Sequence, residues 1–530
     1  MTTVGEQLVT ELAARGVEVI FGIPGVHTIE LYRGLARSGL RHVTPRHEQG
    51  AAFMADGYAR VSGKPGVAFV ITGPGVTNTL TAMGQARADS VPILTVSGVN
   101  TRASLGQGLG FLHELPDQLG LMAQVVLVAK RVMQPADLAP ALADVFAPLT
   151  TGRPGPVHIE IPLDLARMPA APSADLGQPT KPQAHPDQIA AVAQMLNHAD
   201  SPVILVGGGA NPAAADIQNL AQFLDAPVIK TVNARGIMFD HPLGVPASPS
   251  LSSVRNLIES SDVVLALGTE LGPTDYDMYA TDTMPKMQNL IRIDICDQQL
   301  ARHPATIAVK ADVCDAIRAL IPAITPRPQR DGANRAKKTR TNAYDEIGPD
   351  YRAMCALLDC IRSAVANAII VGDSAQPVYA GNMYYDHDRI GGWFNAATGF
   401  GALGYGIPAA IGAAIADPSA RVICLVGDGG AQFSLSEMMV AVQENLDVTF
   451  IVWNNHGYQE IATSMQQAEI EVVGCDPIPP DFEYVARSCG LPFWRCASDR
   501  DAVADTLARA TPTAGPKLIE LIAPNLAARN

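Results

Sequence analysis

RVICLVGDGGAQF, residues 421–433, carries an apolar run straight into a carboxylate held between glycines. The run is continuous rather than alternating, which predicts a strand buried on both faces, as in a parallel sheet covered by helices. Asp428 is left at the strand's carboxyl end. Next, SLSEMMVAVQENL (434–446) repeats apolar residues at Leu435, Met438, Met439 and Val442, the spacing of one helix face. DVTFIVWNN (447–455) is a second apolar run and ends on Asn454 and Asn455. Strand, helix and strand of this length form one parallel crossover, so both strand ends share an edge of the sheet. Open α/β sheets bind their ligands at that edge.

The same alternation runs through the chain. Residues 17–99 give apolar strands VEVIFGIPG, RHVTP, GVAFVITGPG and VPILTVSG, with segments of helical spacing between them, and the unit closes at GPVHIEIPLDL (155–165). Residues 166–186, rich in Pro and Ala and without periodicity, read as a linker. A second set of strands follows in PVILVGGG, APVIKTV, DVVLALGTE and LIRIDI. It fades into the basic stretch TPRPQRDGANRAKKTRTNAYDEIG (325–348), read as a second linker. The third set is AIIVGDS, RVICLVGDGG, DVTFIVWNN and KLIELIAP. The expected fold is α/β, three successive domains at 1–168, 187–324 and 349–530, each a mainly parallel sheet flanked by helices. A chain of 530 residues is too long for one core, which agrees.

Bulk properties narrow the function. A net charge of -14 argues against nucleic-acid or anionic-membrane partners, which need a basic surface. The eight cysteines show no C-x-x-C spacing and read as small buried hydrophobes. The N-terminus is amphipathic, with Val4, Leu8, Leu12 and Ala13 on one face, and lacks the basic and apolar regions of a signal peptide. No run is long enough to span a membrane. A cytoplasmic enzyme is the expectation.

Taken alone, Gly-Asp-Gly is ordinary strand-to-helix punctuation with the Asp as N-cap. Paired with Asn-Asn-His-Gly one crossover later, it suits a hard divalent cation bridged to a phosphate. A carboxylate, an amide oxygen and a backbone carbonyl supply oxygen ligands, and the glycines let phosphate approach the backbone and helix N-terminus. The pair resembles the metal–diphosphate motif of thiamine-diphosphate enzymes. That resemblance implies Mg²⁺ ligands at Asp428, Asn455 and the Gly457 carbonyl, with Gly427, Gly429, Gly430 and Tyr458 around the diphosphate. PRHEQGAAFMADGYAR resembles the segment carrying the family's catalytic glutamate, here Glu48. FGIPG and TGPGVTN resemble two cofactor-contacting turns, with Pro24, Gly25, Gly73, Thr77 and Asn78. GALGYGIPAAIGAA resembles the segment whose bulky residue, here Leu403, bends the cofactor; Ser374 and Gln376 complete the cofactor residues implied.

Glu48 suits that role chemically. Thiamine's aminopyrimidine must reach its imino tautomer to deprotonate the thiazolium C2, and a carboxyl group on the far ring nitrogen drives the shift. The local sequence allows a plainer reading, a carboxylate in the first turn of a helix. Glu48 and Asp428 lie on different domains, and in this family the two domains belong to different subunits, so the resemblance implies a homodimer or homotetramer. Acetolactate synthases hold FAD in the central domain. Their Arg-Phe-Asp-Asp run is replaced here by TELGPTDYD (269–277), and VGGGANP lacks the dinucleotide spacing, so FAD is not expected.

The departures also suggest a substrate. GIPGVHTIELYRGL, LHELPDQ and the continuation HGYQEIATSMQQAEIEVVGCDPIPPDF look like the 5-guanidino-2-oxopentanoate decarboxylases of the family. Such an enzyme splits its 2-oxo acid into CO2 and 4-guanidinobutanal. A guanidinium calls for a carboxylate partner, and Asp275, Asp277 and Glu460 are the candidates; Glu270 adds to the same acidic loop. His113 is expected to act on protons near the reacting carboxylate, with His27 and His456 as weaker candidates. The alternatives are an acetolactate-synthase-like carboligase and a non-catalytic cofactor-binding subunit, the latter disfavoured by the presence of Glu48.

Overall fold

The apolar runs become strands buried on both faces: all seven residues of Ile93–Val99 are buried, as are five of the six in Val422–Gly427. In the computed structural model, which describes residues 2–171, 180–275 and 283–524, the strands form three six-stranded sheets with every pairing parallel. The first holds β1 (Val19–Gly22), β2 (Arg41–Val43), β3 (Gly66–Val70), β4 (Ile93–Val99), β5 (Val128–Arg131) and β6 (Val157–Pro162), ordered β2-β1-β3-β4-β6-β5. The second holds β7 (Val203–Val206), β8 (Val228–Lys230), β9 (Gly244–Val245), β10 (Val264–Leu267), β11 (Leu290–Asp294) and β12 (Ile307–Lys310), ordered β12-β11-β10-β7-β8-β9. This is the doubly wound dinucleotide-fold order. The third holds β13 (Ile369–Gly372), β14 (Trp393–Asn395), β15 (Val422–Gly427), β16 (Val448–Asn454), β17 (Phe493–Ala497) and β18 (Lys517–Ile522), ordered β14-β13-β15-β16-β18-β17. Counted from its own first strand, the third sheet repeats the order of the first.

These two like domains pack directly on each other. The helix Glu48–Ser62 crosses the helix Gly406–Ala416 so closely that a Cβ on Gly57 would lie 2.0 Å from the Ala409 carbonyl oxygen. A Cβ on Gly412 would lie 1.9 Å from that of Met54. Buried Ala51, Ala52, Ala55, Ala409, Ala410 and Ala413 line the contact, so small side chains let the helices approach within backbone reach. The helix that begins with Glu48 is therefore seated on the third domain of its own chain.

Two expectations change. The stretch 325–348 is not an irregular linker: Gly332–Glu346 is a helix, with Ala336, Thr339 and Ala343 buried. Its buried stripe is made of small residues, which hides the helical period. Arg335 and Arg340 fasten it by donating to the carbonyls of Ser201, Pro202, Pro242 and Gly244. The helix expected after Asp428 is also broken, into a 3-10 turn Leu435–Glu437 and a short helix Met438–Gln443. Four cysteines are buried and four partly so, none in a disulfide. Among the described residues, no helix is long and apolar enough to cross a membrane.

Candidate active site

The strand order of the third sheet reverses between β13 and β15, and the ends of β13, β15 and β16 meet there. Asp428 is the first residue of a short helix, Asp428–Ala431, whose N-cap is Gly427, so its carboxylate is not spent on capping. It is 1% exposed, its Oδ2 accepts the N–H of Gly457 at 3.0 Å, and burial pushes its carboxyl above the ordinary range. At the end of β16 the two asparagines divide the work. Asn454 donates to Glu520 Oε1 at 2.7 Å and accepts the His456 N–H at 3.1 Å, holding a turn in which His456 has φ 63°. Asn455 faces the site.

The orientation of Asn455 follows from its neighbours. Gln376 Oε1 accepts the Trp453 indole N–H at 3.1 Å, and an indole nitrogen can only donate. Asn455 must then present its NH2 to the same oxygen, at 3.0 Å. Its Oδ1 is left 2.9 Å from the Gly457 carbonyl oxygen and 3.1 Å from Asp428 Oδ1. Three buried oxygens thus converge with no proton between them. Adjacent ligands of an octahedral cation bound at about 2.1 Å stand about 3 Å apart, so the set fits a hard cation such as Mg²⁺. Among the described residues, no group of three His, Cys, Asp or Glu could hold a metal, which leaves this site to one carboxylate and two neutral oxygens.

The surrounding residues shape a cradle. A Cβ on Gly429 would lie 2.5 Å from Tyr458 Cε1, and one on Gly430 would lie 3.2 Å from Asp373 Oδ1 and 3.6 Å from Leu403 Cδ2. Asp373, fully buried, accepts N–H groups from Ser374 at 2.7 Å and Gly406 at 2.9 Å, and burial pushes it up to about 6. It ties the Leu403 turn to the end of β13. Leu403, Ser374, Gly430, Asp428, Asn455, Gly457 and Tyr458 therefore lie along one edge of the third sheet. Gln376 lies behind them and bonds Asn455.

The first sheet offers the equivalent edge. Pro24 and Gly25 follow β1, while Gly73 follows β3 and precedes the helix Pro74–Asp89 that carries Thr77 and Asn78. Thr77 is exposed and bonds the Pro74 carbonyl at 3.1 Å. Asn78 donates to Glu48 Oε2 at 2.9 Å, so it orients the glutamate. Glu48 is the half-buried first residue of its helix. His113, at φ 60°, packs against the Gly73 turn, where a Cβ on Gly73 would lie 2.4 Å from the His113 carbonyl oxygen. The His113 ring packs against that of His27, tilted by 37° with centroids 5.2 Å apart, and each Nδ1 is buried without a hydrogen-bond partner among the described residues. Burial and the neighbouring His113 lower the pKa of His27. No spacing in the sequence announces this pair.

The acidic candidates do not form one cluster. Glu270 is taken by Arg153 at 3.0 Å and Arg302 at 3.4 Å. Asp275 is pushed up to about 7 by burial and by Glu270 and Asp89, against the pull of Arg235. Asp277 lies outside the described residues. Glu460 sits beside Tyr351 and Tyr379, and among the described residues no Lys or Arg is ion-paired to it. Sequence reasoning missed Glu437, which is 1% exposed and reaches the first domain through the backbone N–H groups of Arg46 and His47.

Comparison with known proteins agrees with this architecture. Residues 2–121, 189–320 and 373–521 match the N-terminal TPP binding, central and C-terminal TPP binding domains of thiamine pyrophosphate enzymes. The chain is 40% identical to a probable 2-ketoarginine decarboxylase, AruI, of Pseudomonas aeruginosa, over 98% of this chain and 94% of that protein. It is 30% identical to a probable acetolactate synthase large subunit of Methanocaldococcus jannaschii (98% and 91% covered) and 31% identical to the acetolactate synthase isozyme 1 large subunit of Escherichia coli (86% and 82%). With three matched domains and the two sheet edges built as described, the chain belongs to the thiamine pyrophosphate enzymes that act on 2-oxo acids.

Proposed function

We propose that the protein decarboxylates 5-guanidino-2-oxopentanoate, which is 2-ketoarginine, to 4-guanidinobutanal and CO2 without oxidation. The observation that carries the cofactor reading is the convergence of Asp428 Oδ1, Asn455 Oδ1 and the Gly457 carbonyl. These oxygens would hold Mg²⁺, and the Gly427–Gly430 backbone would receive the cofactor's diphosphate. The substrate reading is supported by the 40% identity to the 2-ketoarginine decarboxylase over nearly the whole of both chains. Bound thiamine diphosphate supplies the electron sink for loss of the carboxylate.

The chain's own residues do the rest. Glu48, with Oε2 engaged by Asn78, offers Oε1 to hold a proton at the far pyrimidine nitrogen. Leu403 would pack against the bound cofactor, and His113, with the His27 ring beside it, would move a proton at the substrate carbon that loses CO2. Of the carboxylates among the described residues, Glu460 is the partner we assign to the guanidinium: Glu270 is paired with Arg153 and Arg302, and Asp275 lies within the field of Arg235. Glu460→Gln should raise KM for 5-guanidino-2-oxopentanoate about tenfold and leave KM for a neutral 2-oxo acid unchanged, as befits loss of one charge-assisted pair. Equal effects on both substrates would remove Glu460 from that role. The central domain is proposed to work without FAD, so purified enzyme should show no flavin absorbance and gain no activity from added FAD.

A further inference from the structure

Glu437 ends the 3-10 turn that follows the Asp428 helix, yet its carboxylate leaves its own domain. Oε1 accepts the backbone N–H of His47 at 2.9 Å and of Arg46 at 3.1 Å, and Oε2 accepts the Arg46 N–H at 3.0 Å. These two residues immediately precede Glu48, and His47 is the N-cap of its helix. The opposite wall is Gly50, where a Cβ would stand 2.2 Å from Oε1 and displace the carboxylate. The same segment is held again by Arg46 Nη2 on Gln443 Oε1 at 2.9 Å and by Arg41 on Glu444 at 2.8 Å. Burial pushes Glu437 up to about 7, opposed by the two N–H groups and Arg46 and reinforced by the charge of Glu48. A buried carboxylate that spends both oxygens on two N–H groups of another domain fixes where that backbone can be.

We propose that Glu437 is a positioning residue for Glu48: by gripping the backbone N–H groups of Arg46 and His47 it sets the start of the helix, and thereby the place of the Glu48 carboxyl against the pyrimidine. This rests on the reading of Glu48 as the activating carboxyl. A displacement of about 1 Å in such a group can cost a hundredfold in rate.

Two variants separate position from charge. Glu437→Asp keeps the charge but is one methylene too short to reach both donors, whereas Glu437→Gln keeps the reach and the Oε1 acceptor that serves both N–H groups, losing only the second Arg46 contact, where its NH2 would stand in place of Oε2. The readout is exchange of the thiazolium C2 proton into D2O in enzyme loaded with Mg²⁺ and thiamine diphosphate, with no substrate present. It is read beside calorimetric affinity for the cofactor. Exchange should slow about tenfold or more in Glu437→Asp and stay within about threefold of wild type in Glu437→Gln, with cofactor affinity unchanged in both. In a Glu48→Gln background, Glu437→Asp should add no further loss, because it acts through Glu48. Any other order of the two variants, or an additive loss in the Glu48→Gln background, overturns the proposal. Full exchange in Glu48→Gln alone would instead overturn the reading of Glu48, a distinguishable failure.

Discussion

Trp453, Gln376 and Asn455 form a hydrogen-bonded chain in which one unambiguous donor decides how Asn455, the proposed metal ligand, faces. Gln376→Leu should free the Asn455 amide to turn its NH2 into the site and lower Mg²⁺ affinity by about 10- to 100-fold, the usual cost of losing such support. Gln376→Glu, which still accepts both N–H groups, should lose much less. Mg²⁺ titration of the thermal shift at saturating thiamine diphosphate measures both. Asp428 and Asn455 were legible because strand ends and spacing place them together; the chain behind Asn455 was not, because it is made by side chains from separate strands. Asp275 illustrates the opposite case, an acidic candidate whose surroundings are structural. Its pKa, about 7, lies above the ordinary value, so the folded state binds its proton more tightly than the unfolded chain. Its contribution to stability is present in acid and lost as pH rises through about 7. Asp275→Asn escapes that loss, so wild type should lose stability relative to the variant between about pH 4 and pH 7, with no further loss above. A difference in Tm that does not change over that range would contradict the assignment.

At the scale of elements, most strands that could be read were continuous apolar runs, and those that could not were either very short or only partly buried. β5 is only partly buried throughout, β12 and β17 carry exposed residues, and β9 and β14 have two and three residues. Such segments lack the run of buried residues on which the reading depends, and pairing to a neighbour defines them instead. The helix Gly332–Glu346 was hidden because its buried face is made of Ala and Thr and its grip comes from arginines. The contact between the Glu48 and Gly406 helices belongs to the same class, since glycines in a helical run say nothing of what they face. Gly412→Val should cost about 2 kcal/mol or more, as overpacking does, because the new side chain meets the Met54 carbonyl at once. Chemical denaturation of variant and wild type measures the difference, and an unchanged midpoint would mean that the helices are not so closely seated.

The whole molecule repeats one design twice. First and third domains share a strand order, and each presents the ends of its equivalent strands, one edge carrying Glu48 and Asn78 nearby, the other Asp428 and Asn455. On the proposed reading, a cofactor would be held at one edge and activated from the other, which would use both domains. If the two edges belong to different subunits, Glu48→Gln and Asp428→Asn enzymes, each inactive, should recover up to about a quarter of wild-type activity when subunits are mixed and reassembled. No recovery would place both residues of a site in one chain. The three-domain order and the cofactor were legible because they rest on backbone turns at strand ends. Which carboxylate would meet the proposed guanidinium was not, since that depends on which of them remains unpaired after folding. The most direct test is to give the Mg²⁺- and thiamine diphosphate-loaded enzyme 5-guanidino-2-oxopentanoate and pyruvate side by side and identify the products. The account predicts CO2 and 4-guanidinobutanal, with the guanidino acid used at the higher kcat/KM. Acetolactate from pyruvate at the higher kcat/KM would contradict it.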